Sequence, residues 1–137
     1  AEESPDLVID LATLTGAARV ALGPEVVPFY TRDDALAADL AGHGEAEADP
    51  LWRLPLWAPY RTMLDSKVAD INNAGSAPFA GSITAALFLA RFVPETTRWF
   101  HADIYGWNPS ARPGRPEGGE AQAIRALYGL LAQRYPR

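Results

Sequence analysis

Short apolar runs, separated by glycine, proline and acidic residues, mark where this chain can be buried. Leu7-Val8-Ile9 lies between Asp6 and Asp10, a continuous run of the kind found in strands covered on both faces. Residues 11–16 turn out of it, and 17–22 are rich in helix formers up to Gly23-Pro24, a helix stop. Residues 26–30 predict a second strand. Pro28 places it at an edge or a strand end, because proline has no N–H to give to a ladder. Thr31 is the expected N-cap of a helix over 34–40 or beyond, with Asp33 and Asp34 in its first turn.

Residues 49–57 carry two tryptophans and two prolines and read as a loop or short extended piece, followed by a helix over 59–64. Residues 65–81 are too polar and irregular to be an element, and loops of that length in a compact domain are usually functional or meet a neighbour. Residues 82–92 are apolar nearly all round, which predicts a buried helix that Pro94 ends. Residues 99–104 form another strand and 108–119 a proline-and-glycine loop. A closing amphipathic helix over 120–135 presents Ala123, Ile124, Leu127, Leu130 and Leu131. Strands alternating with helices predict an α/β fold of three layers, a parallel sheet with helices on both faces.

Composition narrows the function. The 137 residues are enough for one domain, with 48% hydrophobic and 21% charged residues. Twelve basic against seventeen acidic side chains give a formal charge of −5, which argues against a nucleic-acid or anionic-membrane partner. Without cysteine there is no disulfide, zinc-thiolate site or thiol nucleophile. No apolar run reaches the length of a membrane span and no signal peptide opens the chain, so cytoplasmic is the expected location. The first residue is Ala1, and the first strand follows almost at once, the pattern of a chain cut from something longer.

Thr13-Leu14-Thr15-Gly16-Ala17 sits where a strand's carboxyl end feeds a helix, the place where open α/β sheets hold ligands. Gly16 would let a ligand approach the backbone, and free N–H groups at the helix start would hold a carbonyl oxygen or an anion. An empty capped turn explains the same residues. In Asp65-Ser66-Lys67-Val68-Ala69-Asp70-Ile71-Asn72-Asn73, the oxygen ligands suit hard metals or a general base, but a segment pinned by Asx turns fits equally well. His101 and Asp103 face the same way on one strand and could ligate a metal. A satisfied histidine beside an aspartate that bonds backbone is the commoner outcome. His43 falls in a surface loop, Gly42-His43-Gly44, without functional sign. Glu117-Gly118-Gly119-Glu120 suits a helix start, and the Arg112–Pro116 run before it a solvated loop or an oligomer contact.

Several segments together resemble the leucyl (cytosol) aminopeptidase family. They are Ala12-Thr13-Leu14-Thr15-Gly16-Ala17, Trp52-Arg53-Leu54-Pro55-Leu56, Ala69-Asp70-Ile71-Asn72-Asn73, Gly81-Ser82-Ile83-Thr84-Ala85-Ala86-Leu87-Phe88-Leu89 and Trp99-Phe100-His101-Ala102-Asp103-Ile104, in family order. The resemblance implies part of an α/β catalytic domain with a mixed sheet, an upstream domain and a hexamer. It implies release of N-terminal residues, leucine preferred, from peptides. Two divalent ions, zinc, manganese or magnesium, would lower the pKa of a bridging water and hold the substrate's amine and carbonyl.

Carried over residue by residue, Thr13, the Leu14 carbonyl, Thr15 and the Gly16 N–H hold the substrate backbone, while Ser82 and Ala85 wall the pocket for its first side chain. The family's metal-ligand and arginine segment, Asn-Thr-Asp-Ala-Glu-Gly-Arg, lies upstream of this turn and has no match here. No catalytic or metal-ligating residue is therefore assigned to this chain, which is expected to be inactive and metal-free alone. Residues 1–137 thus correspond to the C-terminal portion of the catalytic domain. Residues 115–122 depart from the common tail and leave the edge of the site open to variation. Lost upstream strands would leave a sheet edge prone to self-pairing. The competing readings are a non-catalytic, self-associating module of the same fold, or an unrelated α/β hydrolase.

Overall fold

The computed structural model describes residues 3–75 and 78–136. Ala1 and Glu2 of the opening stretch, and two positions inside the long loop expected over 65–81, fall outside them. In chain order the elements are β1 (Leu7–Ala12), α1 (Arg19–Leu22), β2 (Val27–Tyr30), α2 (Asp34–Ala46), β3 (Leu51–Arg53), a 3₁₀ helix (Ala58–Leu64), α3 (Gly81–Ala90), β4 (Arg98–Asp103), β5 (Trp107–Asn108), β6 (Gly118–Gly119) and α4 (Ile124–Arg134).

The main sheet has the order β1-β4-β2-β3. Alternation decides what each strand buries. Leu7, Ile9, Phe100 and Ala102 join Val27 and Phe29 in a core with Leu36 and Leu40 of α2 and Leu127 and Leu130 of α4. Val8, Trp99 and Tyr30 face the other way and pack with Ala86 and Ala90 of α3. Helices therefore cover both faces, and the three-layer α/β expectation holds.

The parallel sheet does not. β1 runs parallel to β4 and β2 parallel to β3, but β2 is antiparallel to β4. A buried apolar run reads the same in either direction, so strand direction was not legible; the mixed sheet implied by the family resemblance is the one observed. Of the two places expected for Pro28, the edge is excluded, since β2 lies between β4 and β3, but the strand end holds, Pro28 being the second of the four residues of β2. The antiparallel ladder to β4 pairs Phe29 with Ala102 and Tyr30 with His101, so no partner there calls on the missing Pro28 N–H.

Local signals shifted in three places. Asp33, not Thr31, caps α2, accepting from the Leu36 N–H at 3.0 Å, while the Thr31 hydroxyl accepts from the Asp33 N–H. α2 also runs through Gly42-His43-Gly44, so His43 is helical. Glycine costs a helix about 1 kcal/mol, yet at Gly44 a Cβ would stand only 3.0 Å from the Asp49 carbonyl oxygen. Close packing against β3 outweighs propensity there. At Gly129 of α4 a Cβ would meet the His43 ring at 2.7 Å, so this glycine is what lets the imidazole bond Gln133 at 2.8 Å.

α4 begins at Ile124 rather than at residue 120, because Ala123 adopts φ +68° and turns the chain. Its first N–H groups are satisfied from afar. Asp49, 2% exposed, accepts from Ala123, Arg125 and Ala126. Glu120 instead meets Arg115 and Arg125. Burial raises its pKa, but the hydrogen bonds and charges of both arginines outweigh that and hold it below the ordinary carboxylate value. The run 112–116 is tied inward as well, Arg112 to Glu25 and Arg115 to the Ala48 carbonyl. Among the described residues no helix is long and apolar enough to cross a membrane.

Candidate functional site

β1 and β4 end side by side, with Ala12 opposite Asp103 in register. The turn that leaves β1 thus starts beside the last residue of β4. Asp103 is 4% exposed, and its carboxylate accepts four hydrogen bonds. Oδ1 takes the N–H groups of Leu14 at 3.1 Å and Thr15 at 3.0 Å. Oδ2 takes the hydroxyls of Thr15 at 2.6 Å and Ser82 at 2.8 Å. The Ser82 hydroxyl in turn accepts from the Tyr30 phenol at 2.7 Å. Burial pushes the Tyr30 phenol up to about 12; the Ser82 hydrogen bond opposes this and the Asp103 charge adds to it.

What remains open on the turn is specific. The Leu14 carbonyl and the Gly16 N–H have no protein partner among the described residues. α1 starts only at Arg19, so these groups belong to a free turn and not to a helix N-terminus. The space beside Gly16 is taken by Arg19: a Cβ on Gly16 would sit 2.4 Å from the guanidinium, which also stacks over Tyr105 at 4.6 Å.

A cavity of about 430 Å³ opens between this turn and α3. Its apolar lining is Leu14, Met63, Leu64, Ala85 and Phe88, and its polar lining Thr15, Asn72, Asn73 and Thr84. Such a mixture, mostly apolar with a few convergent polar groups, suits a small ligand with a hydrophobic side chain. Of the residues singled out from sequence, Leu14, Thr15 and Ala85 line this space. Thr13, Gly16 and Ser82 do not, and Ser82 instead bridges Tyr30 to Asp103.

Met63, Leu64, Thr84 and Phe88 were missed. Gly81, Thr84, Ala85 and Phe88 recur at the three- and four-residue spacing of one helical face, a signal already present in the sequence. Met63 and Leu64 belong to the 3₁₀ helix, which only the tertiary fold brings to α3. The segment after them is pinned by side-chain turns, Ser66 accepting from the Val68 and Ala69 N–H groups and Asn72 from that of Ala74. That places Asn72 and Asn73 at the cavity.

The His101–Asp103 pair does not converge on one point. His101 is fully buried and its Nδ1 meets the Asp10 carboxylate at 2.5 Å, while Asp10 also accepts from the Trp99 indole at 2.7 Å. Asp103 is saturated by its four donors. No group of three or more His, Asp or Glu suited to a metal ion occurs among the described residues.

Comparison with known proteins decides the family. The model of the cytosol aminopeptidase family, catalytic domain, matches residues 1–128. The chain belongs to the cytosol aminopeptidase family. It is 44% identical over 128 residues to the probable cytosol aminopeptidase of Chlorobium limicola, covering 93% of this chain and 25% of that protein. Among solved structures, the cytosol aminopeptidase of Coxiella burnetii superposes with a TM-score of 0.88 at 51% identity, over 96% of this chain and 29% of that one. The bottromycin maturation enzyme BotP in complex with Mn superposes with a TM-score of 0.90 at 38% identity, over 96% and 30%. The chain therefore spans between a quarter and a third of the length of these relatives. Family membership confirms the resemblance carried by the 13–17 turn, the 81–89 helix and the 99–104 strand.

Proposed function

We propose that these residues form the substrate-holding part of a metal-dependent aminopeptidase, which releases leucine-type N-terminal residues from peptides. One observation carries this reading: the cavity between the Thr13–Ala17 turn and α3 is mainly apolar, and Leu14, whose carbonyl has no protein partner among the described residues, lines it. The apolar lining would take the side chain of the N-terminal residue, and the open carbonyl and N–H of the turn would align its backbone. Thr15 and Ser82 support the same turn through the Asp103 carboxylate.

Among the described residues no group of side chains is suited to hold a metal ion, and on this reading the role of this chain is binding and orientation. On this reading the two divalent ions, manganese or zinc, are held by polypeptide beyond these 137 residues, which constitute the C-terminal part of the catalytic domain. The names of the relatives support a cytoplasmic aminopeptidase, and the family resemblance a hexamer.

The test is calorimetry of the 137-residue chain with amino acid amides. L-leucinamide should bind about tenfold or more tightly than glycinamide, since burying a leucine side chain contributes about 1.5–3 kcal/mol. The chain alone should not hydrolyse leucine p-nitroanilide with added manganese. Equal affinities for the two amides would sink the pocket assignment, and turnover by the isolated chain would sink the assignment of the metal cage elsewhere.

A second reading, a self-associating structural module, draws on β1, an edge strand of the sheet with Leu11 45% exposed. Light scattering tests this reading: a monomer over micromolar concentrations removes it.

A further inference from the structure

We infer that Asp103 is a positioning residue for substrate: its carboxylate sets the conformation in which the 13–16 turn presents the Leu14 carbonyl and Gly16 N–H. This rests on the reading of the cavity as a substrate site. A chain of direct contacts supports it. Asp103 uses one oxygen for two consecutive main-chain N–H groups, Leu14 and Thr15, both of which belong to cavity-lining residues. The Thr15 N–H and the Leu14 carbonyl belong to one planar peptide unit, so holding the first fixes the direction of the second, and the Leu14 N–H holds the unit before it.

The second oxygen holds the Thr15 hydroxyl, which also faces the Ala17 N–H at 3.4 Å, so the far side of the turn is tied too. Through Ser82 the same oxygen is joined to the first turn of α3, the helix that supplies Ala85 and Phe88 to the cavity. One buried carboxylate thus registers both walls of the site against each other. The arrangement also divides the turn's hydrogen-bonding groups. Those that Asp103 and Thr15 consume face the protein, and those left over are the ones a peptide backbone needs. Asp103 itself touches no substrate, being buried and saturated.

Amide hydrogen exchange and L-leucinamide calorimetry on the 137-residue chain test this. Asp103→Ala should speed exchange at Leu14 and Thr15 at least tenfold and weaken leucinamide binding by about tenfold. Asp103→Asn keeps an acceptor oxygen for both amides and should recover most of each loss. Leu130→Ala, in the core on the opposite face of the sheet, should lower the melting temperature without changing either local readout.

If Asp103→Ala does not fold, Ser82→Ala carries the test. It removes one of the four donors outside the cavity lining and should weaken binding severalfold. Unchanged affinity in the variant used, no recovery in Asp103→Asn, or an equal affinity loss in Leu130→Ala would each overturn the inference. A wild-type chain that does not bind leucinamide overturns the substrate reading itself. It is told apart because no variant is needed to see it.

Discussion

The Tyr30 phenol donates to the Ser82 hydroxyl at 2.7 Å, joining the middle of the sheet to the first turn of α3. Tyr30 is fully buried, and burial is the first reason its pKa is pushed up to about 12. An unfolded chain would release the same proton near about 10. The folded state therefore holds that proton more tightly. Its contribution is complete below about pH 10 and is lost as the pH rises through about 12. Urea titrations from pH 8 to 12 should show a loss on the order of 2–3 kcal/mol from this group. Tyr30→Phe should flatten that part of the profile; an unchanged alkaline slope in Tyr30→Phe would rule the assignment out.

Asp49 caps α4 from 74 residues away in sequence, through a carboxylate that accepts from Ala123, Arg125 and Ala126. Asp49→Ala should cost about 2 kcal/mol by chemical denaturation, at the upper end for a helix cap because the site is buried. Asp49→Asn should recover part of that. A loss indistinguishable from zero would mean that the helix start is held by packing alone.

Ala48 sits at φ +49° and is exposed, so glycine there removes left-handed strain without removing packing. The strain is about 1–2 kcal/mol for an L-residue, and glycine returns about 0.5–1 of it to the unfolded chain as entropy. Ala48→Gly should therefore raise stability by about 0.5–1 kcal/mol, read as a higher melting temperature. A lower one would show that the alanine is not strained.

Ala85 lines the cavity opposite the turn. Ala85→Phe should intrude on the space for a leucine side chain and reduce L-leucinamide affinity by about tenfold, while glycinamide affinity stays nearly constant. Parallel losses for both amides would point to a disturbed backbone site instead.

Legibility differed from one part of the molecule to the next, for physical reasons. The alternation of Leu7, Val8 and Ile9 and of Trp99, Phe100 and His101 gave strands whose two faces are both buried, which is the three-layer arrangement seen. Ala85 and Phe88 belong to a helical face that spacing alone exposes. Gly42 and Gly44 misled, because propensity is a local average and the close approach of Asp49 at Gly44 is not local. Thr31 misled because two neighbouring oxygens could each cap α2, and only the backbone path selects Asp33.

The sequence by itself determined the α/β class, the turn at Thr13–Ala17 and the family, since these depend on periodicity and on residues adjacent in the chain. The tertiary structure decided the strand direction, the cavity and the role of Asp103. Asp103 and Leu14 are 89 positions apart and meet only because β4 lies beside β1 in register. Sheet order is fixed by the burial of all the strands and helices together, so no local stretch of residues encodes which aspartate reaches which turn.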